Sequence, residues 1–417
     1  MEREQLLEKV FFTQFEGKYK RTRLSINLSF PLVRKNITET ALLPYILERG
    51  CSDYPDITLL KRRLNYLYGA SISIRTTMVD YRRVLSLTID GVDAKYIDDK
   101  DIDIERADLL LAILFNPVIS DSSFLDDWVD IEREKLRQQI LSEINDKCSY
   151  CLNKTGELFF GDDVRALAQY GYIKDLESIN GKRLYEVYNE ILQGSTVEVI
   201  SIGCNPSVKK KIKDAFSSIA RNPINIHEKE AVPYQEEKNE EFIFDVEQDK
   251  FAMILTAGRL LTDYEQSVFR LANTILGASP TSRLFMNVRE KKSLCYYCAS
   301  RPGFIAGALT IDSGIEMDNV TVLKEAVLYE IGDMAKGNIT EEELHVAKLM
   351  LKSVLTGLHD TIEGIAGWYL NSIYRLGKIV TPTEEIAILE GISVEDIASL
   401  MGLFKVNVSV VLRGEDE

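Results

Sequence analysis

Apolar and polar residues in the first half of the chain follow two periods, one of two residues and one close to 3.6. Alternation predicts strands, and recurrence at i, i+3 and i+4 predicts amphipathic helices. The strands predicted in this half lie at about 8–15, 21–31 and 70–92. The predicted helices lie at about 38–49, 56–68 and 122–147. The first of these helices ends at Arg49 and Gly50, because glycine commonly terminates helices.

The second half repeats this order of strands and helices. Its predicted strands lie at 241–257 and 293–312, and its predicted helices lie at 262–276, 281–291, 317–336 and 340–375. Each half also closes on a strand that leads into a glycine, at 197–200 before Gly203 and at 406–411 before Gly414.

Two segments of the chain align with each other without a gap. They are GASISIRTTMVDYRRVLSLTID at 69–90 and KKSLCYYCASRPGFIAGALTID at 291–312, which are 222 residues apart and both end in Leu-Thr-Ile-Asp. Four identical residues are weak evidence alone, but they occupy matching places in a matching order of elements. The pattern therefore predicts an ancient duplication.

Strands beside runs of helices predict an α+β fold of two homologous halves, each an antiparallel sheet covered on one face by helices. The predicted domains are 1–222 and 241–417. Residues 223–240 between them are polar, contain proline and lack a period of their own, so they are predicted to be a linker.

Composition and charge exclude several classes of protein. The formal net charge of −15 argues against binding along a nucleic-acid backbone, which requires a basic face. The longest apolar run, 109–115, is far shorter than the ~20 residues that span a bilayer. The first residues lack the apolar core of a secretory signal, and six cysteines are few for a disulfide framework. We expect a cytoplasmic protein that binds neither nucleic acid nor membrane.

The residue types that carry common catalytic chemistry are missing or badly spaced. The chain has three histidines, His227, His345 and His359, and the nearest two are 14 residues apart. A zincin helix needs two histidines four residues apart with a glutamate beside them. No Walker loop, G-x-G-x-x-G or G-x-S-x-G motif occurs. An active stand-alone peptidase with relocated ligands is therefore disfavoured.

Four cysteines form two Cys-x-x-Cys pairs, Cys148 with Cys151 and Cys295 with Cys298. The pairs lie in different halves, too far apart in sequence for a zinc ribbon. Residues 295–298 are predicted to be in a strand, where positions three apart point to opposite faces. We expect buried or incidental thiols.

Residues 41–70, ALLPYILERGCSDYPDITLLKRRLNYLYGA, carry a resemblance to a known family. Their arrangement is similar to that of the pitrilysin/insulinase metallopeptidases, in the group that includes mitochondrial processing peptidase. In that family the first helix bears H-x-x-E-H. Alignment on Gly50 puts the histidine positions at Ala41 and Tyr45 and the glutamate position at Pro44. The resemblance therefore implies a zinc motif that has been lost.

The family's third zinc ligand, a glutamate on a later helix, falls near Leu141 when Glu134-Lys135 is matched to the family's Glu-Lys pair. Glu143 is close in sequence, but one carboxylate cannot hold zinc. The resemblance therefore implies no metal and no other cofactor in this chain.

The second half keeps more of the family pattern. Ser282 to Phe285 reads Ser-Arg-Leu-Phe, Arg289-Glu290 follows, and Tyr296 stands seven residues after Arg289. In the family this arginine and tyrosine contact the substrate peptide beside the zinc, as a guanidinium can grip carbonyl oxygens and a phenol can donate to an oxyanion. The structural alternative is a cation at a helix end and an ordinary strand tyrosine.

The resemblance implies a non-catalytic subunit of a heterodimeric zinc peptidase. A zinc-bearing homologous chain would hold the metal, Arg289 and Tyr296 would contact a peptide or unfolded polypeptide substrate, and no cofactor would bind here. The likeness is nearest to a bacterial zinc-deficient group associated with modification of elongation factor P. The alternative is a proteolytically silent peptide-binding or scaffold protein.

Overall fold

The computed structural model describes residues 3–227, 229–244, 248–315 and 319–414, which form two compact units. The N-terminal unit comprises Met1–Leu141, Leu167–His227 and Thr361–Asn371. The C-terminal unit comprises Ser142–Ala166, Glu228–Asp360 and Ser372–Glu417. Each unit therefore includes a segment taken from the other half of the sequence. Within the described ranges, no helix is both long and apolar enough to cross a membrane.

The elements up to residue 227 alternate between strands and helices. The strands are β1 (Arg3–Leu7), β2 (Val10–Phe15), β3 (Arg21–Pro31), β4 (Ser71–Val79), β5 (Arg82–Val92), β6 (Ile119–Ser120), β7 (Ser123–Phe124) and β8 (Thr196–Ile202). The helices are α1 (Ile37–Leu47), α2 (Ile57–Tyr66), α3 (Ile102–Phe115), α4 (Asp126–Glu143), α5 (Lys147–Phe160), α6 (Ile173–Leu176), α7 (Gly181–Gly194) and α8 (Val208–Ser217).

The later elements follow the same scheme. The strands are β9 (Lys238–Ile243), β10 (Asp249–Thr256), β11 (Cys295–Gly303), β12 (Ala308–Ile315) and β13 (Lys405–Arg413). The helices are α9 (Asp263–Leu276), a π-helix at Leu284–Lys291, α10 (Val320–Ala335), α11 (Glu341–Gly357), α12 (Ile362–Leu376), α13 (Pro382–Gly391) and α14 (Val394–Met401). Residues 223–227 and 229–237 of the predicted linker contain no helix or strand, whereas its last three residues, 238–240, belong to β9.

Five strands of each main sheet follow the same order, which supports the predicted duplication, and β1 is an additional edge strand of the N-terminal sheet. The N-terminal sheet runs β1-β2-β8-β3-β5-β4, and the C-terminal sheet runs β9-β13-β10-β12-β11. In each sheet one pair is parallel, β2 with β8 and β9 with β13, and the other pairs are antiparallel. The predicted α+β fold of two similar halves is confirmed, with mixed rather than purely antiparallel sheets.

The gap-free alignment of the two hairpins is correct for only one of their strands. Leu-Thr-Ile-Asp lies on β5 and on β12, which hold the same place in the two sheets. Ile89 pairs with Ile72, whereas its equivalent Ile311 pairs with Ser300. The first strand of the second hairpin is therefore displaced by six residues. The strands of the second hairpin are shorter beyond the match, since β12 begins three residues before Ile311 whereas β5 begins seven residues before Ile89, and this shortening outweighs the longer loop between β11 and β12.

The N-terminal sheet has one apolar and one polar buried face. On β3, Leu24, Ile26 and Leu28 point into the helix-covered core, while Ser25 and Asn27 point the other way and are also buried. The segment Thr361–Asn371 lies on the polar side. There the Tyr369 ring stacks on Phe15 with centroids 4.2 Å apart, and Glu363 pairs with Arg23 at 2.9 Å.

Both faces of the C-terminal sheet are also buried. Phe251 and Met253 of β10 point to one side, and Ala252 and Ile254 point to the other, against α5. Sequence analysis predicted helices on one face only and included the start of α5 in a single helix over 122–147. That helix instead ends at Glu143, and Asp146 caps α5 by accepting a hydrogen bond from the Ser149 amide at 3.1 Å.

Two further predictions of continuous elements are wrong. The helix predicted at 340–375 is interrupted after Gly357, and Thr361 restarts the chain as α12 by accepting from the Gly364 amide at 3.0 Å. The strand predicted at 241–257 is two strands, β9 and β10. Residues 245–247 of that strand and 317–318 of the helix predicted at 317–336 lie outside the described residues.

Because α5 packs on the C-terminal sheet, truncating one of its buried side chains should strongly lower the stability of the protein. Phe159 is buried in the cluster that joins α5 to β10 and β13, so Phe159→Ala leaves a cavity in this layer. We expect the free energy of unfolding to fall by ~3–5 kcal/mol, measured by urea denaturation with far-UV circular dichroism. Tyr66→Ala, at an exposed site on α2, is the control and should change it by less than ~0.5 kcal/mol. Equal effects of the two variants would contradict the packing described.

Candidate functional site

The three positions predicted to match the family's zinc motif lie on α1, which is almost completely buried. Ala41 is 2% exposed and Pro44 is buried, while Tyr45 is half-buried and packs against the core of the N-terminal unit. Burial raises the pKa of Tyr45, so its phenol stays neutral at neutral pH. A methyl group, a pyrrolidine ring and a neutral phenol are not zinc-binding groups. The donor set on this helix does not fit zinc.

Charged groups near the end of α1 are engaged in ion pairs. Glu132 on α4 is buried and pairs with Arg49 at 2.7 Å and with Lys135 at 2.8 Å. Leu141, predicted to lie near the position of the family's third zinc ligand, is 41% exposed and has no ligand atom. Burial raises the pKa of Glu143. In the parts of the chain that the structure describes, no group of three or more His, Cys, Asp or Glu side chains could hold a metal.

Arg289 lies near the end of the π-helix. Leu284 and Val288 anchor this helix in the core, and its wide turn presents Arg289 at the surface, where the side chain is 38% exposed. The guanidinium carbon lies 4.5 Å from the centroid of the Phe285 ring, and Nη1 lies 3.6 Å from Glu290. Insertions of π-helical turns are rare and occur frequently at functional sites.

Tyr296 occupies a β-bulge at the start of β11. Cys295 pairs with Ile315 and Tyr297 pairs with Gly314, so Tyr296 is the extra residue between them. A bulge redirects side chains, and Tyr296 is 56% exposed. Ser293 precedes it in a left-handed conformation (φ 52°), which turns the chain from the π-helix into the strand.

The structure brings Arg289 and Tyr296 together on the wall of one open pocket of about 350 Å³. The positions of both side chains depend on irregular backbone, which sequence periodicity does not reveal. The other residues lining this pocket are Glu290, Ser293, Leu294, Cys295 and Asn319. The arrangement places a cation and a phenol side by side, which suits binding of a peptide backbone.

The bulge also overturns one expectation about the cysteines. Cys298 pairs with Ser313 and Cys295 with Ile315, and these two partners are two residues apart on β12. Cys295 and Cys298 therefore share one face of the sheet, whereas a regular strand would separate them. The prediction of opposite faces was wrong because of this bulge, which the residue types at 295–298 do not indicate.

The remaining pair of cysteines is structural in character. Cys151 is buried between α5 and the C-terminal sheet, and burial raises its pKa to about 12. Cys148 is half-buried and accepts a hydrogen bond from the Tyr297 hydroxyl at 3.2 Å. The expectation of buried thiols is confirmed for Cys151 and Cys298, whereas Cys148 and Cys295 are half-buried.

One family profile and two sequences of known proteins are similar to this chain. A family profile described as the peptidase M16 inactive domain matches residues 178–351. The probable inactive metalloprotease YmfF of Bacillus subtilis (strain 168) is 28% identical over 406 residues, which are 96% of this chain and 94% of that protein. The uncharacterized zinc protease YmxG of the same organism is 31% identical over 131 residues, which are 31% of this chain and 32% of that protein.

Solved structures show the same fold. A conserved protein from Enterococcus faecalis V583 matches with a TM-score of 0.87 and 25% identity, covering 100% of this chain and 99% of that chain. A peptidase M16 inactive domain from Pseudomonas fluorescens matches with a TM-score of 0.78 and 16% identity, covering 98% of this chain and 96% of that chain. Both similarities extend over both units.

The composition of α1 predicts that the isolated chain binds no stoichiometric zinc. Ala41, Pro44 and Leu141 offer no ligand atoms, and the burial of Tyr45 disfavours a phenolate. Tag-free protein incubated with excess zinc and desalted should contain far less than one zinc per chain by inductively coupled plasma mass spectrometry. A homologue with an intact H-x-x-E-H motif, treated identically, is the positive control. About one zinc per chain in this protein would contradict the prediction.

Proposed function

We propose that this chain, which is an inactive M16-family metalloprotease-like protein, acts as the non-catalytic subunit of a heterodimeric zinc peptidase. In this proposal, Arg289 and Tyr296 form part of a cavity whose zinc is held by a zinc-bearing homologous chain. The observation that carries the proposal is that these two side chains line one open pocket, while the zinc-motif positions of α1 carry no suitable ligands.

The chemistry of the pocket supports binding of a peptide. The planar guanidinium of Arg289 can donate in parallel to carbonyl oxygens, and its stacking on Phe285 limits its orientations. The Tyr296 phenol can donate to a carbonyl oxygen as negative charge develops on it. Its position in the bulge, rather than in the regular part of β11, leaves the ring exposed for such a contact.

The competing function is a peptide-binding or scaffold protein without proteolysis. The same pocket would serve it, because gripping a peptide backbone needs no metal. Peptide cleavage by the variants described below distinguishes the two functions, since a scaffold needs no donor to a developing oxyanion.

The cellular setting of the proposal follows from composition and resemblance. Few cysteines suit a reducing compartment, and we place the protein in the cytoplasm on that basis. The substrate would be a peptide or unfolded polypeptide. Association with modification of elongation factor P stays a prediction, to be tested by co-purification from the native host.

The first prediction from this proposal concerns assembly. Co-expression with a zinc-bearing homologue from the same organism should yield a 1:1 heterodimer, since homologous folds offer complementary surfaces of similar shape. Size-exclusion chromatography with light scattering measures the mass, and metal analysis should find one zinc per heterodimer. The chain alone is the control. Two independent species at micromolar concentration would argue strongly against the proposal.

The second prediction concerns Arg289 and Tyr296 in the reconstituted heterodimer. Tyr296→Phe removes one donor and keeps the aromatic ring, so turnover of a peptide should fall by ~10²–10³. Arg289→Lys keeps the charge but loses the planar fork, so it should mainly raise KM. Steady-state peptide cleavage measures both effects.

The matched control is Tyr329→Phe, because Tyr329 is another exposed tyrosine of the C-terminal unit and lies outside the pocket. It should leave kcat and KM unchanged. All three variants should still join the partner, which size-exclusion chromatography verifies. Wild-type cleavage by the Tyr296→Phe and Arg289→Lys double variant would make the pair structural and this chain only a scaffold for the zinc-bearing subunit.

A further inference from the structure

A thiol pair stands beside the pocket that holds Arg289 and Tyr296. Cys295 is half-buried and lines this pocket, and Cys298 is buried behind it on the same face of β11. The bulge at Tyr296 produces this arrangement, because without the extra residue the two thiols would point to opposite faces. One cysteine is therefore accessible from the pocket, and the other supports it from the core.

The groups around Cys295 favour its ionised form. Arg289 and Glu290 approach from the π-helix, Tyr296 and Cys298 lie on the same strand, and Ser313 faces it from β12. A hydrogen bond from the Cys298 thiol and the charge of Arg289 contribute to lowering the pKa of Cys295 to about 7, against the opposing effect of burial. Reactive cysteines occupy partly exposed sites of this electropositive kind.

The other cysteines differ from Cys295 in exposure or surroundings. Cys51, Cys151 and Cys204 are buried, and burial raises the pKa of each, to about 12 for Cys151 and Cys204. Cys148 is half-buried like Cys295 but does not line the pocket. Because it accepts a hydrogen bond from the Tyr297 hydroxyl, it is a reference matched to Cys295 in exposure but not in surroundings.

We propose that Cys295 is a nucleophilic thiol through which this chain is covalently modified by hydroperoxides. The thiolate sulfur attacks one peroxide oxygen, so that an S–O bond forms as the O–O bond breaks. The departing hydroxide or alkoxide takes up a proton and leaves as water or an alcohol. Sulfur loses two electrons and the peroxide gains two, which leaves a sulfenic acid at Cys295.

The consequence of this modification is local. A sulfenic acid at Cys295 adds an oxygen atom to the wall of the pocket, next to the guanidinium of Arg289. The inference goes beyond the proposed function, because thiol reactivity is measured on this chain alone. Failure of the heterodimer to form would leave it intact, and failure of the thiol test would leave the heterodimer proposal intact.

The experiment measures alkylation of each cysteine in the folded chain. Iodoacetamide is applied between pH 5.5 and 9, and the products are mapped by tandem mass spectrometry. At pH 7 we expect Cys295 to react roughly five- to tenfold faster than a thiol of ordinary pKa, since its larger thiolate fraction outweighs its lower intrinsic nucleophilicity. Cys148 provides the comparison, and the rate at Cys295 should have a midpoint near pH 7.

Variants test the surroundings of the thiol. Cys298→Ala removes the donor and should slow Cys295 several-fold at pH 7, whereas Cys298→Ser retains a donor and should preserve most of the rate. Arg289→Gln, at a partly exposed helix end, should also slow it and does not disturb the core. Cys295→Ser should abolish fast labelling, and Cys148→Ser should leave it unchanged.

Hydrogen peroxide followed by dimedone, which traps sulfenic acids, completes the test. A dimedone adduct should form at Cys295 ahead of every other cysteine. The proposal is overturned if Cys295 is alkylated no faster than Cys148, if its midpoint lies near pH 9, or if peroxide gives no adduct at Cys295.

Discussion

The division of this chain into two structural units depends on one constraint, the burial of both faces of the C-terminal sheet. Ala252 and Ile254 are as buried as Phe251 and Met253, so the sheet needs cover on two sides. Helices of the second half supply one layer, and α5 from the first half of the sequence supplies the other. The segment Thr361–Asn371 makes the reverse contribution to the N-terminal sheet. Neither half of the sequence contains all of one unit.

The candidate site depends on a different physical feature, namely local departure from regular backbone. A π-helical turn carries Arg289, a left-handed Ser293 redirects the chain, and a bulge presents Tyr296. Together they place a cation, a phenol and a thiol on one pocket wall. Regular elements would have kept Cys295 and Cys298 on opposite faces. Irregular geometry of this kind is maintained only where the surrounding structure supports it, here the buried Leu284 and Val288.

Periodicity was sufficient for the order of the elements that it predicted, because it depends on residues close in sequence. It did not predict the helices α3, α7, α8, α13 and α14. The residue types at Ala41, Pro44 and Tyr45 were likewise enough to exclude a zinc ligand set on α1. The role of α5 was not predictable, since an amphipathic helix does not specify which sheet it covers. The bulge was missed because an inserted Tyr296 among strand-forming residues leaves the composition of a strand unchanged. The sequence pattern therefore does not predict which distant elements pack together or where the backbone departs from regular geometry.

The assignment of α5 to the C-terminal unit has a consequence for how the protein is made. A ribosome completes α5 at Phe160 and begins β13, one of the strands that α5 covers, only at Lys405. At ~5–20 residues per second, that interval lasts roughly 10–50 s. Until then the sheet on which the apolar side of α5 packs, with Phe159, lacks β13 and is incomplete. The nascent chain thus carries an apolar helix face whose cover is complete only near the end of synthesis.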